Sequence, residues 1–424
     1  MVEEIIYEAI MKIKKISCIL SSLFFITTSN AGDTCLQQNF WDIWFNQGSF
    51  KGFGLPPSET QIQKAQVELA ENYYLGDRIA KNYKSAYDLF LRASKGDLTQ
   101  ANFRLGLMNH YGQGKEKDLI KAFDHYQLAA NQNDNEAQFN LALMYRYGLG
   151  IEKNLTEAYH WFYRSAASEE MKAVDACFEA KSTVPEAQFN LAQMYHYGFG
   201  TKKDVKKAFN WYEKAAQNNL KEAQFNFAKL ILTGEAADYH FDIAIENYRL
   251  AAKQGLLEAQ LNLAQLYHYG PSYFQNFKKA FKWYQAAANQ GSNEAIFNLA
   301  LMQQYGRGTI QNHISAKNYY HQIEEKNIPE VYVNLGFIYH YGLGTPVNDQ
   351  KAKSYFEKAS KHKFGEADFH LGIIYRDGRG VAKNLVLADS FFQMANEKGI
   401  YEAKEIIKTL ALRESDDINL FEAP

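Results

Sequence analysis

Four histidines, His110, His196, His268 and His340, each precede a tyrosine and occupy the same place in successive stretches of the chain. Imidazole is a common metal ligand and proton carrier. Histidines carried on successive packed helices, however, lie roughly 10 Å apart, too far for shared ligation. No His-x-x-x-His or Glu-paired metal pattern accompanies them, and Arg146 and Arg376 fill the same slot elsewhere. A row of surface or inter-helix histidines is expected, with no metal and no cofactor. Ser360-Lys361-His362-Lys363 has the Ser-x-x-Lys spacing of acylating serines, but no Ser-Asp-Asn or Lys-Thr-Gly follows. Six Gly-x-Gly turns lack the strand-to-helix setting and the third Gly or Lys-Ser/Thr of a phosphate loop. Nothing supports a Ser/His/Asp triad, so no catalytic residue is expected.

What remains is recognition chemistry. Asn140, Asn190, Asn226, Asn262, Asn298 and Asn334 share one position of a recurring helix, and Tyr111, Tyr147, Tyr197, Tyr269, Tyr305 and Tyr341 share another seven residues later. At about 100° per residue both fall opposite the apolar face. An Asn amide can clamp a peptide backbone, and Tyr gives contact area at low entropic cost. The alternative is that Asn braces the neighbouring repeat and Tyr packs the turn.

These residues are positioned by a 36-residue repeat. Starts fall at Ala65, Ala101, Ala137, Ala187, Ala223, Ala259, Ala295, Val331, Ala367 and Ala403, every interval being 36 except Ala137 to Ala187. Eleven residues after each of the nine full starts stands Gly, from Gly76 to Gly378. Twenty-one after stands Ala, and twenty-five after an aromatic, from Phe90 to Phe392. In Ala187–Glu222 the pattern predicts helix A over Pro185–Tyr197, buried through Ala187, Leu191, Ala192, Met194 and Tyr195. Gly198 closes it and Asp204 caps helix B, Val205–Gln217. Neither helix can bury its apolar face within one unit, so stacking must do it: an all-α, α/α solenoid of helix-turn-helix repeats. The second turn Gly is absent at Arg78, Ala236 and Ser272, which predicts another backbone path there.

The ends and the balance of charge bound the rest. Residues 1–31 read as a signal peptide whose true start is Met11: Lys12, Lys14 and Lys15, an apolar run, then Ser29-Asn30-Ala31. This predicts Sec export to the periplasm or beyond, without stable membrane insertion. Residues 32–64 form an aromatic capping segment, with Ser58 and Gln61 as a capping box. Nine repeats span 65–402 with an insertion near 167–186; 403–413 is a capping helix and 414–424 a flexible acidic tail. After cleavage Cys35 and Cys177 are the two thiols left, a possible disulfide. Lys+Arg 46 against Asp+Glu 48 argues against a nucleic-acid partner.

Segments such as AQFNLAQMYHYGFGTKKDVKKAFNWYEKAAQ (187–217) and ADFHLGIIYRDGRGVAKNLVLADSFFQMA (367–395) resemble Sel1-like repeats, relatives of tetratricopeptide repeats with a longer Gly-containing turn. The resemblance implies a superhelix whose A helices line a concave surface. Together with the signal segment and the lack of catalytic residues, this leads to the expectation of an exported, monomeric, non-catalytic scaffold for a protein or peptide ligand; the resemblance adds that exported relatives of intracellular bacteria take part in host-cell interaction. A periplasmic or envelope assembly factor is the second expectation. A β-lactamase-like hydrolase is the third, since Cys-rich relatives have been linked to penicillin; this chain lacks their paired cysteines.

Overall fold

The structure, a computed structural model, describes residues 58–77, 79–96, 98–167, 184–235 and 241–409. The signal segment, most of the aromatic cap, Cys35, Cys177, most of the insertion, and the acidic tail lie outside the described residues. Among the described residues every regular element is a helix.

Contacts divide the chain into two units, Met1–Ala223 with Glu235–Ala237, and Gln224–Gly234 with Asp238–Pro424. Unit one holds α1 (Glu59–Leu75), α2 (Tyr83–Ser94), α3 (Thr99–Tyr111), α4 (Leu119–Asn131), α5 (Asn135–Tyr147), α6 (Leu155–Ala166), α7 (Pro185–Tyr197) and α8 (Val205–Gln217). The division falls within α9 (Lys221–Thr233). Unit two continues with α10 (Phe241–Lys253), α11 (Leu257–Tyr269), α12 (Phe277–Asn289), α13 (Asn293–Tyr305) and α14 (His313–Gln322). It ends with α15 (Pro329–Tyr341), α16 (Asp349–Lys361), α17 (Gly365–Asp377) and α18 (Leu385–Glu397), and residues 401–409 are again helical. From α1 to α8 and again from α10 to α18 each helix packs on the next in chain order, which is the expected α/α solenoid arrangement. Odd-numbered helices are the A helices and even-numbered ones the B helices.

One repeat shows why. In α7, Ala187, Leu191, Ala192 and Met194 are fully buried, and they meet Ala208, Tyr212 and Ala215 of α8, also fully buried. The alanines let the axes approach, and the tyrosine ring fills the remaining space. Gly198 takes a left-handed conformation (φ 76°) and its N–H donates to Met194 O, closing α7. The chain then returns: Asp204 N–H donates to Tyr195 O at 2.8 Å, and the Asp204 carboxylate accepts from Lys207 N–H, opening α8. The same backbone bond joins Asn82 to Tyr73, Asp118 to Asn109 and Asn154 to Tyr145. In unit two it joins Asn276 to Tyr267, Asn312 to Gln303, Asn348 to Tyr339 and Asn384 to Tyr375. The predicted capping box is present, Ser58 and Gln61 each bonding the other's backbone N–H.

The second turn glycine has a different task. A Cβ on Gly200 would stand 2.0 Å from the carbonyl oxygen of Leu155, the first residue of the preceding B helix. Gly114, Gly150, Gly308, Gly344 and Gly380 meet preceding B helices in the same way. This glycine is the point where one repeat's turn rests on the previous repeat. At Ser272, where it is missing, the expected change of path is found. Gly270 is extended (φ −67°, ψ −176°), and Phe274 and Gln275 donate to Pro271 O. The equivalent stretches at Arg78 and Ala236 lie outside the described residues. Unforeseen is the early end of α14, which passes into a single 3-10 turn, Glu324–Lys326, and a left-handed Asn327.

Candidate functional site

The tyrosine row is exposed. Tyr111, Tyr147 and Tyr197 of unit one and Tyr269, Tyr305 and Tyr341 of unit two are 56 to 64% exposed, each the last residue of an A helix. The residue before each tyrosine steadies it. His110, His196 and His268 stack on their tyrosines at centroid distances of 4.8, 4.6 and 4.0 Å. The Arg146 guanidinium lies 5.5 Å from the Tyr147 ring, and His340 meets Tyr341 edge-on. Gln304 Nε2 donates to the Tyr305 hydroxyl.

The asparagines are brought to the same faces but are spent inward. Asn140, Asn190, Asn298 and Asn334 donate Nδ2 to the carbonyl four residues back in their own helix, at 2.7 to 2.9 Å. Two of their oxygens serve the preceding repeat: Asn190 accepts from Arg146, and Asn298 accepts from the Tyr269 hydroxyl at 3.3 Å. Asn262 bonds the Tyr248 hydroxyl, and Asn226 is half-buried at the same register of α9. Of the predicted stripe, the tyrosines therefore face solvent while the asparagines largely brace.

Two members of the histidine row are sealed, while His110 and His196 are half-buried. His268 and His340 are almost fully buried, and burial holds both imidazoles below the usual histidine range. His340 lies with Nδ1 2.8 Å from Asp349 Oδ1 and Nε2 2.9 Å from the Arg379 guanidinium of the next repeat. Since arginine can only donate, Nε2 must accept and the ring proton sits on Nδ1. Arg379 adds to the downward shift that burial begins. Among the described residues no group of three or more His, Cys, Asp or Glu side chains stands close enough to hold a metal ion. Ser360 of the Ser-x-x-Lys match lies in the last turn of α16, where its hydroxyl donates to the fully buried Asp368, itself paired with Lys398.

That last contact exposes a feature the sequence reading missed. In four repeats the second residue is buried and hydrogen-bonded to one thirty residues later. Gln188 meets Asn218, Gln224 meets Gln254, Gln260 meets Gln290, and Asp368 meets Lys398. Where the pair becomes Tyr332 and His362, and α14 stops short, an open cleft of about 550 Å³ forms. Its polar groups satisfy one another: Glu324 accepts from Lys358 at 2.9 Å and from Tyr355 at 3.3 Å, and lies 2.9 Å from His321 Nδ1. The cleft is a knot of internal bonds at an irregular turn. No described helix is long and apolar enough to cross a membrane.

Comparison with known proteins agrees with this geometry. The model of the Sel1 repeat matches nine times, at residues 63–98, 99–134, 135–169, 185–220, 221–256, 257–292, 293–327, 329–364 and 365–400. Among solved structures the chain is similar to a protective antigen present in uropathogenic Escherichia coli strains that displays an SLR fold. That match has 25% identity and a TM-score of 0.53, and covers 84% of this chain and 81% of that one. A Sel1 repeat protein from Oxalobacter formigenes is 27% identical over 61% of this chain and 99% of its own, with a TM-score of 0.49. No curated protein matches.

Proposed function

Because the chain belongs to the Sel1 repeat family, whose hairpins form scaffolds, we propose that it is an exported, monomeric scaffold that holds a protein or peptide ligand against its A-helix tyrosine row. The observation that carries this reading is the row itself. Six tyrosines stand in one structural slot, exposed although each is adjacent to a buried core residue or capping glycine. Large exposed aromatics recurring at one register mark contact surfaces. The asparagines position the row: by bonding across to the preceding repeat, Asn190 and Asn298 hold successive A helices in register. Export rests on the basic-then-apolar N-terminal pattern, and the relative that is a protective antigen supports display outside the cytoplasm, in contact with a host. We assign it no catalysis, cofactor or nucleic-acid partner.

Affinity capture with the chain beginning at Gly32 tests the reading. Replacing Tyr111, Tyr147 and Tyr197 by Ala is expected to cut recovery of the captured ligand at least tenfold without lowering the melting temperature. Replacing Asn190, Asn226 and Asn262 by Ala is expected to weaken capture and lower stability together. Undiminished recovery with the tyrosine variant removes the row as the binding site. Retention of the protein in the envelope fraction would favour an assembly factor over a secreted effector, and nitrocefin hydrolysis would end the non-catalytic assignment.

A further inference from the structure

The turn that follows each exposed tyrosine carries a second, unannounced row. Five residues beyond the capping glycine stand Lys81, Lys117, Lys153 and Lys203, all exposed and all in unit one. Their place is set by the backbone, since the next residue makes the N–H bond back to the A helix that recurs from repeat to repeat. A Cβ built on Gly76, Gly112, Gly148 or Gly198 would lie 3.1 to 3.4 Å from the Cβ of that lysine. The stems of Lys117, Lys153 and Lys203 thus start over the glycine that follows a tyrosine, placing Lys117 beside Tyr111, Lys153 beside Tyr147 and Lys203 beside Tyr197. Lys81, whose glycine follows Leu75, instead donates Nζ to the Tyr83 hydroxyl at 3.2 Å. Lys117 is near enough to His110 to help depress that imidazole's pKa.

The acids nearby do not cancel the row. Asp118 and Asp204 are drawn to Lys121 and Lys207, at 2.6 and 3.8 Å. Asp77, Glu116 and Glu152 share the first, second and third turns, while Lys115 and Lys202 add charge to the second and fourth, so the excess of cations is concentrated at Lys202 and Lys203. Arg146 adds a cation beside Tyr147. Unit two treats the same slot differently. Gln275 and Gln311 fold back onto the carbonyls of Gly270 and Gln304, Val347 follows, and only Lys383 restores a charge.

From this juxtaposition we infer that the glycine-turn edge of unit one docks an extended acidic segment of a partner protein, its carboxylates on the lysine row and its apolar or aromatic side chains on Tyr111, Tyr147 and Tyr197. The inference rests on the scaffold reading and gives it a ligand chemistry. Successive A helices stand about 10 Å apart, and an extended chain advances about 3.3 Å per residue. The segment therefore offers an acidic residue about every third position.

Three synthetic peptides of one length, with Asp/Glu, Asn/Gln or Lys at every third position among Ser and Tyr, test it by fluorescence anisotropy. The acidic peptide is expected to bind, with affinity falling as salt rises, and the other two to bind at least tenfold more weakly. Lys117→Glu, Lys153→Glu and Lys203→Glu together are expected to lower acidic-peptide affinity at least tenfold. Gln275→Glu with Gln311→Glu is expected to leave it unchanged. Equal binding of the neutral peptide, no binding of the acidic one, or indifference to the lysine changes overturns the inference. So does tighter binding of a single-stranded oligonucleotide of equal charge. If the tyrosine variant still loses its captured ligand in any of these cases, the scaffold reading survives; if neither set of variants matters, both fall.

Discussion

A single backbone conformation shows how narrowly this repeat is specified. Gly200 and Gly291 both have positive φ, 69° and 84°, but different surroundings. An added Cβ at Gly200 meets Leu155 O at 2.0 Å, whereas among the described residues nothing lies within 4 Å of one at Gly291. Gly291→Ala is therefore expected to cost only the left-handed penalty, about 1–2 kcal/mol. Gly200→Ala adds a backbone clash between two repeats and is expected to exceed 3 kcal/mol. Urea unfolding of the two variants measures the difference, and equal costs would show that the second turn glycine does not bear on the preceding helix. The Gly-x-Gly spacing was plain in the sequence. Its reason was not, because Leu155 is 45 residues from Gly200 and only packing brings them together.

Between elements, the polar pairs decide how each repeat closes and how it meets the next. His340, on α15, is buried between Asp349 of α16 and Arg379 beyond α17. His370 of α17 lies edge-on to Phe337 at 4.5 Å and stacked on Phe356 at 5.2 Å. Burial lowers His370 to about 4, with His340 contributing, and lowers His340 from its ordinary value near 6.5. Both are neutral in the folded protein at pH 7, while an unfolded chain takes up their protons near pH 6.5. Stability contributed by these groups is therefore complete above that pH and is lost as pH falls from about 6.5 towards 4. Hydrogen exchange is expected to show protection in 329–400 declining across this window, and His370→Phe is expected to flatten the decline. An equally steep decline in that variant would remove His370 as its cause. Sequence periodicity marked His340 as a member of a row; its polar neighbours Asp349 and Arg379, 9 and 39 residues away, have no periodic signature.

At the scale of the molecule, a stack of like hairpins stores its stability in nearest-neighbour interfaces. Phe356 is fully buried in the third-last hairpin-forming helix, against Phe337 and His370. Phe356→Ala is expected to cost about 3–5 kcal/mol, with exchange protection lost in 293–400 and retained in 63–134. Uniform loss over the whole chain would show one cooperative core instead. The repeat length, helix boundaries such as Pro185–Tyr197, the capping residues and the all-α class followed from sequence alone. Local rules produce them: apolar spacing, a left-handed glycine and an Asp or Asn cap act within a few residues of each other. The tertiary structure decided which half of the Asn/Tyr stripe meets solvent, which buried pairs close four of the repeats, and that lysines of unit one lie beside its tyrosines. Those outcomes depend on distances between residues five to forty-odd positions apart, and such distances exist only once the hairpins have packed.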